Sequence, residues 1–187
     1  FVELGARSRQ TRPGCWISEF ASKADFASAL EGLSPDGEGC ISVVYALSLT
    51  EREGKAVFER FFHFSQALGE ADFQQVRLTV LISGASAITP VESVVNPDSA
   101  GLSGACRVLA SELSNTDARL LDIDEMSMNQ WGSDVSGKLL LNEILTSPDV
   151  FESVCYRNTY RFTEEFARTK LPEPTATGLS EGVYVIT

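Results

Sequence analysis

The chain has 187 residues, with 15 Lys plus Arg against 26 Asp plus Glu, a net charge of −11. A hydrophobic content of 43% with 22% charged residues is that of one folded domain and excludes wholesale disorder. The acid excess works against a phosphate-backbone partner, which needs clustered cations, and no apolar run approaches the ~20 residues of a membrane span.

Strands and helices alternate along the chain. Phe1-Val2-Glu3-Leu4 and Cys15-Trp16-Ile17-Ser18 are short strand candidates joined by a polar connection containing Pro-Gly. Phe26, Ala29, Leu30 and Leu33 then recur at helical spacing behind Ser22-x-x-Asp25, a capping-box pattern. The loop Ser34-Pro35-Asp36-Gly37-Glu38-Gly39 ends that helix, and residues 40–47 form a nearly continuous apolar run, the pattern of a strand covered on both faces. Thr50-Glu51-Arg52-Glu53 is a second capping box, in front of a stripe of Val57, Phe61, Phe64 and Leu68 that predicts an amphipathic helix.

Arg77-Leu78-Thr79-Val80-Leu81-Ile82-Ser83 reads as the next buried strand. Asn96-Pro97 sets an N-cap with proline at the first helical position, and Leu102, Ala105, Cys106, Leu109 and Leu113 face inward on the helix that follows. Arg119-Leu120-Leu121-Asp122-Ile123-Asp124 is a further strand, and residues 139–145 a helix stopped by Pro148. Tyr156, Tyr160 and Phe162 flank Asn158-Thr159 as an antiparallel hairpin. The end, Leu171-Pro172-Glu173-Pro174-Thr175 through Ser180, reads as a linker into an apolar strand, Val183-Tyr184-Val185-Ile186. In a Rossmann-type domain such a strand opens into the glycine loop that holds a dinucleotide, and no such loop follows before Thr187. Buried strands alternating with helices predict an α/β fold with a mostly parallel sheet.

The residues that could carry chemistry each have a plainer reading. Cys15, Cys40, Cys106 and Cys155 form no Cys-x-x-Cys pair and read as free intracellular thiols. Ser83 and Ser86 end a central strand, where a catalytic serine can sit, but no Gly-x-Ser-x-Gly elbow surrounds them and a turn is expected. Gly101-x-x-Gly104 lies inside a helix pattern, so close helix–sheet packing is expected rather than a dinucleotide loop. His63, the only histidine, stands among Phe61, Phe62 and Phe64 without a Cys or carboxylate at i+3 or i+4, and reads as a packed helix residue. Asp122, Asp124 and Glu125 lack the organised oxygen spacing of a cation site and read as a solvated strand end.

The order of these segments is informative. Ile82-Ser83-Gly84-Ala85 through Pro97, then Ala100-Gly101-Leu102-Ser103-Gly104-Ala105-Cys106-Arg107-Val108 and Ala118-Arg119-Leu120-Leu121-Asp122-Ile123-Asp124, resembles the N-terminal structural subdomain of ketoreductase domains in modular polyketide synthases. The helix Phe61-Phe62-His63-Phe64-Ser65-Gln66-Ala67-Leu68 looks like the one in those subdomains that ends in a Gln-Ala-Leu turn. Tyr156-Arg157-Asn158 followed by Leu171-Pro172-Glu173-Pro174 is similar to their hairpin and exit linker. Val2-Glu3-Leu4-Gly5 leading to Asp25-Phe26 looks closest to the trans-acyltransferase variants.

The resemblance implies a truncated Rossmann-like fold, a mostly parallel sheet flanked by helices with a C-terminal antiparallel hairpin. Residues 1–171 would be the structural subdomain, and 172–187 the linker and first strand of a following catalytic subdomain. That second half, which would bind NADPH, is missing from this sequence, and the upstream strand–helix unit of the family is absent or cropped. The expected partners are adjacent domains of the same cytoplasmic megasynthase: a catalytic ketoreductase, or a methyltransferase or dehydratase beside a pseudo-ketoreductase. An acyl carrier protein would be reached indirectly. A short-chain reductase also needs Tyr-x-x-x-Lys, and Tyr45, Tyr156 and Tyr160 are followed at i+4 by Leu49, Tyr160 and Glu164, while Tyr184 has no i+4 residue. No catalytic, cofactor-binding or metal-ligating residue is therefore assigned, and the chain by itself is expected not to be an enzyme. Two alternatives stand beside the scaffold: an independent α/β enzyme using Ser83 or Ser86, or a small-ligand module at the carboxyl ends of the strands.

Overall fold

The repeat of a buried strand and an amphipathic helix builds most of the molecule. The computed structural model describes residues 2–4, 9–12, 15–18, 20–33, 39–49, 54–90, 92, 96–124, 134–146 and 151–170, with only the backbone described up to residue 18, at Gly54 and over 134–136. The Thr50–Glu53 box, Glu125, Pro148, the exit linker and the Val183–Ile186 run lie outside the described residues.

Among the described residues eight strands and four helices follow one another: β1 (Val2–Leu4), β2 (Arg9–Arg12), β3 (Cys15–Ser18), α1 (Lys23–Glu31), β4 (Cys40–Tyr45), α2 (Gly54–Glu70), β5 (Gln75–Ile82), α3 (Pro97–Glu112), β6 (Thr116–Ile123), α4 (Asp134–Leu145), β7 (Glu152–Arg157) and β8 (Tyr160–Thr163). A short 3-10 turn, Leu47–Leu49, follows β4. The main sheet runs β4-β5-β6-β7-β8, parallel through β7 and closed by the antiparallel β7–β8 hairpin. This is the expected α/β, Rossmann-like architecture. At the hairpin turn Asn158 takes φ 54°, left-handed backbone that asparagine tolerates better than most residues.

The alternation of side chains along β5 and β6 divides the core in two. Val76, Leu78, Val80 and Ile82 of β5 and Ala118 and Leu120 of β6 point to one face. There they meet Phe26 and Leu30 of α1, Val57, Phe61, Phe64 and Leu68 of α2, and Leu102, Cys106 and Leu109 of α3. The α2 stripe is thus buried as expected, with the Phe61 and Phe64 rings 5.2 and 5.0 Å from that of Tyr45. Leu81, Leu121, Ile123, Val154 and Tyr156 form the smaller cluster on the other face, where Leu140 of α4 packs against them.

Local signals acted as expected where side chains answer backbone. Ser22 Oγ accepts from Asp25 N at 3.4 Å while Asp25 accepts from Ser22 N at 3.0 Å, a complete capping box. Asn96 Oδ1 accepts from Asp98 N and Ser99 N at 3.1 and 3.3 Å, with Pro97 opening α3.

Four expectations need correcting. β2, read as polar connection, pairs antiparallel with β3, which also pairs parallel with β1, so the N-terminal strands form a separate three-stranded sheet. Arg9-Gln10-Thr11-Arg12 shows no apolar alternation, because strand pairing is made by backbone groups and needs none. The run at 40–47 is not covered on both faces: β4 is the edge among the described strands and Val44 is 41% exposed. Leu33 is exposed, because α1 ends at Glu31, with Gly32 as its cap.

Gly101 and Gly104, finally, do not pack against the sheet. Both lie on the exposed side of α3; a Cβ at Gly104 would meet nothing within 4 Å, and one at Gly101 only Phe58 at 3.9 Å. The physical consequence is a helix interior carrying glycine without steric need. Gly104→Ala is expected to raise stability by up to ~1 kcal/mol, checked by thermal unfolding of the chain.

Candidate functional site at the carboxyl ends of the strands

In open α/β sheets ligands sit outside the carboxyl ends of the parallel strands, where the strand order reverses. Here the main sheet keeps sequential order from β4 to β8 and has no reversal among the described strands. The region beyond the ends of β5, β6 and β7 is filled by one buried side chain, Arg157, the last residue of β7.

The chain is folded around that guanidinium. After β5 it turns at Gly84, whose φ of +65° favours glycine, and Asn96 N returns to donate to Gly84 O at 2.6 Å. The loop between is knotted on Glu92, which accepts from Ile88 N, Thr89 N and Thr89 Oγ1 at 3.1, 3.0 and 2.8 Å. Arg157 Nε donates to Glu92 at 3.0 Å, and Nη2 donates to Ser86 O at 2.7 Å and to Asp122 Oδ2 at 3.2 Å. Its Nη1 donates to the carbonyls of Asp122 and Tyr156 at 3.2 and 3.0 Å. All three guanidinium nitrogens are engaged, and Asp122 Oδ2 also accepts from Ser86 N at 3.0 Å.

Burial alone would raise the Glu92 carboxyl, but the Ile88 and Thr89 donors and the Arg157 guanidinium hold it down at about 2. Desolvation would lower the Arg157 value, and the Asp122 charge together with Glu92 overrides it, so Arg157 is held above its ordinary range. Burial, reinforced by the Asp122 charge, pushes the Cys155 thiol up to about 11, which leaves it protonated and a poor nucleophile at neutral pH.

The sequence-derived candidates scatter around this cluster. Ser86 enters it through its backbone, as donor to Asp122 and acceptor from Arg157. Ser83 sits in the turn after β5, partly buried. Neither meets a histidine: His63 rides on α2 with its ring 6.3 Å from that of Phe62, and its Nδ1 finds no hydrogen-bond partner among the described residues. Asp122 is 1% exposed rather than solvated, so the strand-end reading fails for it, whereas Asp124 is partly exposed. Among the described residues no three His, Cys, Asp or Glu side chains are grouped for a metal. Cys40, Cys106 and Cys155 are buried thiols that form no disulfide among the described residues; the Cys15 side chain lies outside those described. Tyr45 closes β4 inside the aromatic core, where burial pushes its hydroxyl above the ordinary value of 10. Beside the cluster a shallow pocket of about 290 Å³ is lined by Ser86, Ser103, Arg107, Ser153, Cys155 and Phe162, among others.

A second ionic cluster, unforeseen from the sequence, ties α4 to the opposite face. Glu143 accepts from Tyr156 Oη at 2.7 Å and pairs with Arg119 Nη1 at 2.9 Å and Arg161 Nε at 2.5 Å. Glu152 joins Arg119 and Arg161 at 3.0 and 2.7 Å. Burial would raise Glu143, but the Arg161 and Tyr156 hydrogen bonds and both arginine charges hold it below the ordinary carboxylate range. Burial and the bond to Glu143 push the Tyr156 hydroxyl up to about 12.

Both glutamates have folded values below their ordinary 4.5. A group depressed by folding stabilises fully above its unfolded value and loses that contribution as pH falls through the folded one. Unfolding midpoints in urea should therefore hold steady at neutral pH and drop as pH falls from ~4.5 toward ~2. A flat profile across that window would contradict the ionic accounting.

The fold and this cluster define a truncated α/β unit whose strand ends are sealed by ionic side chains. No protein-family model matches the chain, and no curated protein does. Among solved structures it is similar to the multidomain adenylation, ketoreductase and pseudo-Asub structure of a keto acid-selecting NRPS module. The TM-score is 0.66 at 18% identity, over 86% of this chain and 14% of that one. At that identity the likeness establishes the shared fold, and the chain spans about one seventh of the protein it matches. Among the described residues no helix is long and apolar enough to cross a membrane.

Proposed function

We propose that this chain is a non-catalytic structural unit of a multidomain synthase, the structural half of a ketoreductase or a pseudo-ketoreductase. The observation that carries the reading is the sealed strand end: the described strands run in sequential order without a switch point, and Arg157, Asp122 and Glu92 fill the place where a Rossmann domain admits its ligand. The fold likeness to a ketoreductase-containing NRPS module supports a setting among tethered domains, and the ordered sequence segments favour a polyketide synthase.

In this reading residues 1–171 brace a neighbour, and 172–187 supply the linker and opening strand of a catalytic half. That half would reduce a carrier-bound β-ketoacyl thioester with NADPH; in a pseudo-ketoreductase the neighbour would be a methyltransferase or dehydratase. The setting is cytoplasmic, a placement supported by three buried thiols that form no disulfide. NADPH titrated into the isolated chain, followed by nucleotide fluorescence, should show no saturable binding. Binding at micromolar concentration would overturn the reading and favour the small-ligand module, for which the 290 Å³ pocket beside Ser86 and Cys155 is the place to look.

A further inference from the structure

Helix α3 packs along β5 and β6, and the strands beyond them turn Cys155 of β7 and its register partner Phe162 of β8 to the same side of the sheet. The pocket of about 290 Å³ lies there, between α3 and the β7–β8 hairpin. Of the three described thiols Cys155 alone lines it, yet Cys155 is 7% exposed. A side chain on the wall of a surface pocket ordinarily meets water. Something stands between this one and solvent.

Two other lining residues supply it. Arg107 of α3 donates through Nη2 to Glu164 Oε2, the first residue after β8, and both line the pocket. Their side chains are 44% and 45% exposed, so the pair lies at the solvent end of the pocket and the thiol at its floor. The guanidinium is held from another side as well, 5.0 Å from the centre of the Phe151 ring. Beyond Glu164, residues 165–170 are exposed and make no hydrogen bond or ion pair among the described residues. The Glu164 carboxylate is therefore what ties the departing segment to the α3 side. A half-exposed ion pair is a weak bond, and a weak bond suits a contact that opens and closes rather than a permanent seal.

We propose that Arg107 and Glu164 form a clasp that closes this pocket over Cys155, and that the pocket opens when the segment leaving β8 lifts from α3. The clasp joins residues 57 positions apart, one on the helix and one at the exit, so a movement of the exit is felt at the thiol. It holds whichever domain adjoins the chain, and it does not depend on the scaffold reading.

The test is alkylation of the 187-residue chain by iodoacetamide at about pH 9, with each cysteine followed separately by peptide mass spectrometry. Cys155 should react about fivefold faster in Arg107→Gln than in the parent, the scale on which an exposed ion pair with a cation–π contact shifts a local opening. Cys106, fully buried on the inner side of α3, should keep its rate and so separate local opening from unfolding. The sign of the effect is diagnostic. Burial, the Asp122 charge and, further down, the Glu164 charge hold the Cys155 thiol up, and removing a cation cannot make it more acidic, so a gain in Arg107→Gln reports access. Glu164→Gln removes the clasp and one of those charges together, and should react at least as fast. A gain in Glu164→Gln alone would overturn the proposal, since the carboxylate would then act on the thiol's acidity. A gain in Arg107→Gln alone would overturn it too, because Glu164 would not be the closing partner. Unchanged Cys155 rates in both variants, or Cys106 accelerating in step with Cys155, would do the same.

Discussion

Replacing Arg157 with methionine is expected to destabilise the fold by about 3–5 kcal/mol, the cost of leaving buried charge without its partner. Arg157 is 4% exposed and Asp122 1%, so water cannot take over the lost donors. Methionine matches the length of the side chain but leaves Asp122 Oδ2 with the Ser86 amide and the weak Cys155 thiol donor, and leaves the carbonyls of Ser86, Asp122 and Tyr156 without their guanidinium donors. The loop at 86–92 loses its tie to the sheet at the same moment, since Glu92 meets β7 through Arg157. Urea unfolding of the variant gives the number directly. The triple change Arg157→Met, Asp122→Asn, Glu92→Gln should be milder than the single one, because it removes the orphaned charges as well. A single variant within ~0.5 kcal/mol of the parent would show that the cluster is solvated and that the strand ends are open.

Glu143→Leu is expected to cost a similar ~3–5 kcal/mol, by a route that ends in α4. The substitution takes one of its two carboxylates from Arg119, 4% exposed at its side chain, which keeps Glu152 and the main-chain carbonyl of residue 143, and it removes the acceptor shared with Arg161 and Tyr156. Glu152 remains as partner to both arginines, but at 29% exposed it is closer to water and offsets only part of the lost Glu143 charge. Among the described residues of α4, Leu140 is the one packed on the smaller core cluster, so the helix's amides should exchange with solvent faster while those of β5 and β6 keep their protection. Arg119→Met combined with Glu143→Leu should recover most of the loss, since an ion pair exchanged for matched apolar groups is close to neutral. If the double variant is no better than the single, the pair serves something other than stability.

The elements themselves were legible in the chain wherever a local signal spoke. Val57, Phe61, Phe64 and Leu68 announced α2, Asn96-Pro97 announced α3, and Asn158-Thr159 placed the hairpin turn. β2 was not legible, because Arg9-Gln10-Thr11-Arg12 is a strand by virtue of its neighbours' backbone. Both ionic clusters were out of reach for a related reason. Arg157 and Glu92 lie 65 positions apart, Arg157 and Asp122 35, and no periodicity links residues that only a parallel sheet brings together. Asp122 looked like a solvated strand end because a charged residue after an apolar run ordinarily is one; β7 delivering an arginine to the same spot is a long-range event.

Sequence by itself determined the fold class: buried strands alternating with helices predict the mostly parallel α/β sheet that is found. These follow from period and composition, which are properties of short windows. Tertiary structure alone decided that the strand ends are sealed by Arg157, that Gly101 and Gly104 face outward, and that α4 buries Glu143 and leaves Leu141 and Leu145 exposed. Those outcomes depend on which elements become neighbours and which face each one turns. Leu141 and Leu145 would suit a core as well as a surface, and only the arginines waiting on β6 and β8 settle that Glu143 goes in and the leucines stay out.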